Sequence, residues 1–254
     1  MKTVWNVYFS PSGTTKKATG RIASRFPGER KHLNLLASPA GEVPSLDRED
    51  ILVAGVPVFA GRIPDVCVPV LRRLKGNDTP AVAVVMYGNR DYEDALLELK
   101  TLLEEGGFRV IGAAAFVAQH SIFPEVGAGR PDEVDLERMD EFAAACLRKM
   151  ETFPDAVSVG VKGNFPYREG GPIPLRPSGG RKCDACGVCA RICPVGAIDP
   201  AHPKRTDGSR CISCTACIAA CPHKARRFRG LLYRMVRRKF RKKFSVRKEP
   251  EWFV

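Results

Sequence analysis

The sequence predicts a doubly wound α/β domain with a five-stranded parallel sheet, followed by a small α+β domain and a basic amphipathic C-terminal helix. Apolar runs alternate with helical patterns over residues 1–154, as in parallel-sheet proteins. Eight of the ten cysteines form two identical runs between residues 183 and 222, which predicts a small domain built around metal. Over residues 226–254, apolar residues recur at helical spacing among many lysines and arginines, which predicts the final helix.

The first domain consists of five predicted strands separated by helices. The predicted strands span residues 3–10, 31–36, 50–59, 80–88 and 108–120. The predicted helices span residues 14–26, 65–74, 92–107 and 131–153. The run at 50–59 is apolar almost throughout, as expected for a strand buried on both faces. In such a sheet, ligands bind beyond the carboxyl ends of the strands.

Positive charge is concentrated near the C-terminal end of the chain. Residues 1–160 carry a net charge of −3, residues 161–223 of +5 and residues 224–254 of +11, within a total of +13. No apolar run approaches the length of a membrane-spanning helix, and the first residues turn polar too early for a signal peptide. We therefore expect a cytoplasmic protein, with peripheral attachment to the inner membrane face as an alternative. In a reducing compartment, clustered cysteines indicate metal rather than disulfides.

Both cysteine runs follow the pattern C-x2-C-x2-C-x3-C-P, at residues 183–194 and 211–222. In this pattern three cysteines bind one iron–sulfur cluster, and the fourth, followed by proline, ligates the other cluster. The predicted ligand sets are Cys183, Cys186, Cys189 and Cys221 for one cluster, and Cys211, Cys214, Cys217 and Cys193 for the second. The alternative, structural zinc, prefers paired C-x2-C knuckles and fits this pattern poorly. Cys67 and Cys146 lie in apolar helical patterns and are expected to be buried thiols.

Residues 181–225 resemble the bacterial ferredoxin domain with two [4Fe-4S] clusters. The resemblance implies that two [4Fe-4S] clusters form the core of this domain. Because so short a segment buries little apolar surface, we expect it to unfold without its clusters.

The turn after the first strand, Ser10 to Lys17, predicts an anion pocket. It supplies four hydroxyl groups, a glycine and the N-terminus of a helix, from Ser10, Ser12, Gly13, Thr14 and Thr15. Such groups suit a phosphate monoester. The alternative is a turn that only caps the helix. No G-x4-G-K-[ST] motif is present, which disfavours nucleoside triphosphate chemistry.

This turn resembles the phosphate loop of the flavodoxin family, which binds FMN with two further loops. The resemblance is to short-chain flavodoxins, and it implies that residues after the third and fourth strands hold the flavin. These are Val58, Phe59, Ala60, Gly61 and Arg62 on one side, and Tyr87, Gly88, Asn89, Arg90, Asp91 and Tyr92 on the other. We expect either Tyr92 or Phe59 to stack on the ring.

Two arginines on the flavin loops depart from the acidic surroundings typical of flavodoxins. A cation from Arg62 or Arg90 beside the flavin would stabilise its anionic reduced form and make it less strongly reducing. The alternative is that both are solvated surface residues. His120, at the end of the fifth strand, could contact the flavin or serve only a structural role.

Residues 155–180 are rich in glycine and proline and predict a linker, although several valines and aromatic residues indicate that it packs on the first domain. For the basic helix, predicted over residues 226–248, three interpretations remain open. It could dock on the protein itself, lie on an anionic membrane surface, or recruit an acidic redox partner. Nucleic acid is disfavoured because no base-reading module accompanies the charge.

The whole chain resembles the flavodoxin–ferredoxin fusion proteins of anaerobes. The resemblance implies electron transport between two [4Fe-4S] clusters and FMN, with interconversion of one-electron and two-electron chemistry. Its partners would be redox proteins. One alternative is a flavin reductase that is fed by the clusters and acts on a small molecule. Another is a vestigial flavin site. The sequence offers no acid–base pair for catalysis and no nicotinamide-binding fingerprint.

Overall fold

The computed structural model describes residues 2–37, 43–153, 157–171 and 173–254. The strands are β1 Thr3–Tyr8, β2 Glu29–Asn34, β3 Ser45–Leu46, β4 Ile51–Pro57, β5 Lys75–Gly76, β6 Thr79–Tyr87, β7 Phe108–Val117, β8 Pro177–Gly179, β9 Arg226–Phe228 and β10 Glu251–Phe253. The helices are α1 Thr14–Ala23, α2 Val68–Leu71, α3 Ala95–Glu105, α4 Glu133–Glu151, α5 Val188–Arg191, α6 Ala216–Ala219 and α7 Leu231–Phe244, with a 3-10 turn at Asp65–Cys67.

The main sheet has the order β10-β7-β6-β4-β1-β2, and its five strands from β2 to β7 are parallel. Without β10 this is the flavodoxin-like order 2-1-3-4-5. Helices α2 and α3 cover one face of the sheet, whereas α1 and α4 cover the other. The parallel α/β architecture predicted from the apolar runs is therefore confirmed. Strands β4 and β6 are buried on both faces, which explains their near-continuous apolar sequence.

The expected five-strand count is wrong by one, because the C-terminal tail adds β10 to the sheet. Residues 251–253 pair antiparallel with residues 113–115 of β7. Without this partner, β7 would be an edge strand with unpaired N–H and C=O groups. Three residues of strand carry too little pattern for the sequence to reveal this pairing.

An apolar cluster, called here the junction cluster, joins the α/β domain to the cysteine-rich segment. Its buried members are Ile122, Phe123, Val126, Leu175 and Phe228. They come from the loop after β7, from the linker and from β9. Helix α7 packs on this cluster through Tyr233, Val236, Phe240 and Phe244. The amphipathic helix thus docks on the protein itself, although it is shorter than the predicted 226–248.

The linker also lies against the α/β domain. Val159 is buried, and its N–H donates to the carbonyl of Val110 at 3.0 Å. The buried carboxylate of Asp94 accepts backbone N–H groups from Asn164 and Arg168, at 2.8 and 2.7 Å. The predicted domain boundary at residues 154 and 155 lies outside the described residues.

Cys67 and Cys146 are both fully buried, as their apolar surroundings in the sequence predict. Burial raises the pKa of the Cys146 thiol to about 12 and raises that of Cys67 still further. Both therefore remain protonated and unreactive near neutral pH. None of the helices in the described segments is long and apolar enough to cross a membrane.

Asn89 anchors the end of the chain to the loop after β6. Its side chain is buried and donates to the carbonyls of Phe244 and Val246, both at 2.8 Å. Its carbonyl oxygen accepts the N–H of Lys248 at 3.1 Å. Asn89 has a φ of 58°, a left-handed conformation that asparagine tolerates better than most residues.

We predict that Asn89→Gly destabilises the tail by on the order of 2 kcal/mol, since it removes three hydrogen bonds to residues 244–248 while glycine keeps the left-handed conformation. Asn77→Gly, at an exposed position, is the matched control. Urea unfolding followed by tryptophan fluorescence measures the effect, because Trp252 of β10 packs on Phe142. Equal midpoints for the two variants would contradict the anchoring role.

Candidate cofactor sites

A cavity lies at the carboxyl ends of β1, β4, β6 and β7, and its empty space of about 780 Å³ includes a part that is open to solvent. Eleven of the sixteen residues predicted to bind flavin line it: Ser12, Thr14, Thr15, Val58, Phe59, Ala60, Gly61, Tyr87, Gly88, Arg90 and Asp91. The other five, Ser10, Gly13, Arg62, Asn89 and Tyr92, lie outside its lining. The three loops that the sequence places at one sheet edge are thus brought together.

The first turn presents hydroxyl groups and a helix N-terminus to this cavity. Gly13 has a φ of 87°, which suits glycine, and α1 begins at the next residue. Ser10 does not reach the cavity, because its hydroxyl oxygen accepts the N–H of Lys16 at 2.9 Å and caps the helix. Ser12 and Thr14 remain at the cavity wall with their hydroxyls 3.4 Å apart. This end of the cavity can bind a phosphate.

The second loop is a tight hairpin that points Phe59 and Gly61 into the cavity. Phe59 and Arg62 exchange backbone hydrogen bonds at 2.9 and 3.1 Å. Ala60 and Gly61 between them both have positive φ, as in a type I′ turn. A side chain on Gly61 would collide with the Glu93 carboxylate, so this hairpin packs tightly on the third loop.

The third loop turns Tyr92 away from the cavity, so the expectation that it stacks on a flavin is wrong. Its ring is 1% exposed and lies in the core, with its hydroxyl 2.8 Å from a Glu251 carboxylate oxygen. Phe59 and Tyr87 are the aromatic residues at the cavity wall among those described. Gly88 passes so close to His120 that any side chain there would clash with the imidazole.

Of the two arginines expected beside the flavin, only Arg90 lines the cavity. The Arg62 guanidinium leaves the cavity and binds both oxygens of the buried Glu98 carboxylate at 2.7 Å. It also lies 4.9 Å from the ring of Tyr167 in the linker. Arg90 does line the cavity, but its charge is paired with Glu93 at 2.6 Å. Both arginines therefore pair with carboxylates that the sequence could not assign to them.

His120 is held as a neutral hydrogen-bond acceptor. Its Nδ1 accepts the N–H groups of Ile122 and Phe123, each at 3.2 Å, and its ring packs on Phe240. Burial, assisted by the charge of Arg90, lowers the pKa of His120 to about 4. His120 lines the cavity, so it presents a neutral imidazole there at neutral pH.

The eight clustered cysteines separate into two sets of four around two smaller cavities. Cys183, Cys186, Cys189 and Cys221 line one cavity of about 290 Å³, called here the outer set. Cys193, Cys211, Cys214 and Cys217 line the other, of about 320 Å³, called here the inner set. This grouping agrees with the crossed ligand assignment, in which the fourth cysteine of each run joins the other set.

The backbone of this segment fits bound clusters. Positive φ angles recur in pairs 28 residues apart, at Ala185 and Ser213, Gly187 and Thr215, and Gly196 and Lys224. The same interval separates the two cysteine runs. Amides point at sulfur in both halves, since the N–H groups of Ala197 and Ala225 donate to Cys193 and Cys221 at 3.2 Å. Four thiols around each cavity, with amides directed at sulfur, are the donor set of a [4Fe-4S] cluster.

The inner set forms part of the wall of the large cavity. Cys214 lines both its own cavity and the large one, together with Ser213. Ile173 of the linker and Gln119 of the loop after β7 complete this side. The sequence offered one signal for Gln119, because it lies at the carboxyl end of a predicted strand. It offered none for Ile173, Ser213 or Cys214, whose position depends on how the two domains meet.

A family model for the 4Fe-4S dicluster domain matches residues 182–225. No curated protein matches the chain. Among solved structures, the chain is similar to rubredoxin oxygen:oxidoreductase from the anaerobe Desulfovibrio gigas, at 17% identity and a TM-score of 0.44. That match covers 60% of this chain and 37% of the other, so the chain spans little more than a third of that protein's length.

Two flavodoxin structures are similar to this chain at comparable TM-scores. The Streptococcus pneumoniae flavodoxin has 16% identity and a TM-score of 0.41, over 58% of this chain and 99% of that one. The Fusobacterium nucleatum flavodoxin bound to flavin mononucleotide has 12% identity and a TM-score of 0.41, over 59% and 99%. These similarities are distant, and the flavodoxin-like strand order rests on the structure of this chain itself.

We predict that His120 makes the folded protein less stable as the pH falls from about 6.5 toward 4. Its pKa is lowered in the folded state, so the unfolded chain binds the proton more readily and protonation favours unfolding. Replacing His120 with Asn keeps an acceptor but removes the titration. Urea unfolding at pH 7.5 and 5.5 should show a smaller pH dependence for His120→Asn than for wild type. The exposed control, His32→Asn, should behave as wild type, and an unchanged dependence in His120→Asn would contradict the assignment.

Proposed function

We propose that this chain, in which a flavodoxin-like α/β domain is joined to a 4Fe-4S dicluster domain, transfers electrons between two [4Fe-4S] clusters and FMN. The observation that carries the proposal is the position of Cys214, which lines both the inner thiol cavity and the large cavity. When bound, the clusters would exchange single electrons and FMN one or two. The protein would bind, orient and insulate these groups.

The large cavity suits FMN in the distribution of its polar groups. Ser12, Thr14 and the N-terminus of α1 would bind the phosphate, whereas Phe59 would flank the ring. The neutral His120 would add a polar group without adding charge.

The positions of the two thiol sets suggest the path that electrons would take through the protein. The inner set shares a wall with the large cavity, so its cluster would be the partner of the flavin. The outer set includes Cys186, which is exposed. A redox protein would therefore exchange electrons at the outer set, and the inner set would connect that surface to the flavin.

A small-molecule reductase is the second candidate, because another cleft meets the flavin cavity. This cleft of about 920 Å³ shares Phe59 and Ala60 with the flavin cavity and extends past Arg210 to Cys211. A substrate bound there would contact the hairpin that flanks the flavin. Oxidation of the reduced protein at a rate that saturates with acceptor concentration would favour the reductase. An oxidation rate that rises strictly linearly with acceptor concentration would favour a protein that only passes electrons to redox partners.

We predict that reduced clusters pass electrons to FMN within one molecule, at a rate independent of protein concentration. Stopped-flow absorbance of the anaerobic protein measures this rate. Ser12→Glu places a carboxylate at the proposed phosphate site and should weaken FMN binding at least about tenfold while the clusters remain. Ser24→Glu, at the exposed far end of α1, should retain both cofactors.

Three results would contradict this function. The first is a purified protein without flavin absorption. The second is a rate of electron transfer from the clusters to FMN that rises with protein concentration. The third is equal FMN affinity in Ser12→Glu and Ser24→Glu.

We propose further that the exposed side of α7 attaches the protein to anionic membrane surfaces. The helix has seven lysines and arginines and no acidic residue. Leu231, Leu232 and Met235 remain exposed beside them, because other apolar residues of the helix pack on the junction cluster. Arg237 is paired with Glu125, which leaves the remaining cations available to lipid headgroups.

We predict that the protein floats with vesicles containing phosphatidylglycerol at low salt and is released at high salt. Arg238→Gln combined with Lys242→Gln should weaken this binding, whereas Arg72→Gln combined with Lys75→Gln, at exposed sites elsewhere, should not. Absence of binding by the full-length wild-type protein would overturn the membrane proposal and leave an acidic protein as the partner of this surface.

A further inference from the structure

Arg226 is a buried cation within the cysteine-rich domain. It lies in β9 and is 3% exposed. Its guanidinium donates to the carbonyl of Pro177 at 2.9 Å, and also to the carbonyl of Pro203 and the hydroxyl of Thr206. Its Nε has no hydrogen-bond partner within the part of the chain that the structure describes. These contacts hold the group in one position but supply no negative charge.

No carboxylate among the described residues pairs with Arg226, unlike Arg62, Arg90 and Arg130, which all have such partners. An unpaired buried charge is costly, because it loses its hydration without gaining a counter-ion. A compensating negative charge must therefore come from the groups that surround the guanidinium. The surrounding groups that can carry negative charge are the cysteine thiols.

Arg226 contacts the outer set of cysteines. Its guanidinium lies 3.8 Å from the Cys189 sulfur, and Arg226 lines the outer thiol cavity but not the inner one. Cys189 of the outer set and Cys217 of the inner set are both buried and pack in one small cluster with Ile198. The cation thus lies at the wall of the outer cavity, beside the cluster in which the two sets meet.

The internal repeat shows that this charge occurs in only one half of the domain. The 28-residue interval that relates the two cysteine runs places Ile198 at the position equivalent to Arg226. Ile198 is also buried. The two halves share backbone geometry and amide–sulfur contacts, so the buried arginine is a difference between otherwise similar surroundings.

We propose that Arg226 raises the reduction potentials of the clusters, and that it raises the potential at the outer set more. The inference rests on the proposed function, since it requires clusters at both sets. Each cluster gains one negative charge when it takes up one electron, and a fixed cation nearby stabilises that reduced form. Low local dielectric strengthens the effect. The result would make electron uptake at the exposed end of the relay easier.

The test is an anaerobic redox titration of the full-length protein, followed by electron paramagnetic resonance, with dithionite as reductant. Arg226→Gln and Arg226→Met remove the charge with side chains of different shape, because either one alone could fail to fold. In variants with full iron content, we expect lower midpoint potentials, with the larger shift at the outer set. Arg226→Lys should remain closer to wild type. Arg227→Gln makes the same charge change at an exposed neighbour and should leave the potentials unchanged.

Unchanged potentials in a neutral Arg226 variant with full iron would overturn the inference and leave Arg226 as a structural donor to carbonyls. Equal shifts for Arg226→Gln and Arg227→Gln would also overturn it, because the effect would then follow from net charge alone. A wild-type protein without cluster signals would instead defeat the proposed function, so the two failures are distinguishable.

Discussion

The contact between the inner cysteine loop and the carboxyl edge of the parallel sheet is the constraint on which the site depends. A doubly wound sheet collects its connecting loops at this edge and leaves a cleft there. In this chain, Ser213 and Cys214 close one side of that cleft. The large cavity and the inner thiol cavity consequently share a wall. Without this contact the two domains would be two separate sites on one chain.

The cysteine-rich domain is too small to maintain this contact by its own core, so other segments secure it. The junction cluster brings together side chains from the α/β domain, the linker and β9, and α7 covers it. Asp94 holds the linker, whereas Asn89 holds the tail that follows α7. Both anchors lie on or next to the third cavity loop. The same loop therefore shapes the cavity and fastens the segments that position the second domain.

Charge is distributed differently in the two domains. Arg62 and Arg90 on the cavity loops are each paired with a glutamate, which limits the field that they exert on the cavity. Arg226 has no carboxylate partner among the described residues and faces the thiol of Cys189. Most of the other cations of the C-terminal segment are on the exposed side of α7, where salt screens them. The position and pairing of each cation, rather than the total of +13, determine its effect on a cofactor.

The sequence by itself determined the features that depend on neighbours along the chain. The cysteine spacing predicted how the eight clustered cysteines separate into two sets of four, and hydrophobic periodicity predicted the five parallel strands and the loops at their carboxyl ends. Only the tertiary structure decided the rest. It placed Cys214 beside the large cavity, buried Tyr92, paired Arg62 with Glu98 and added β10 to the sheet. These outcomes depend on contacts between residues far apart in the chain, and no local pattern encodes which distant side chain will pair with which.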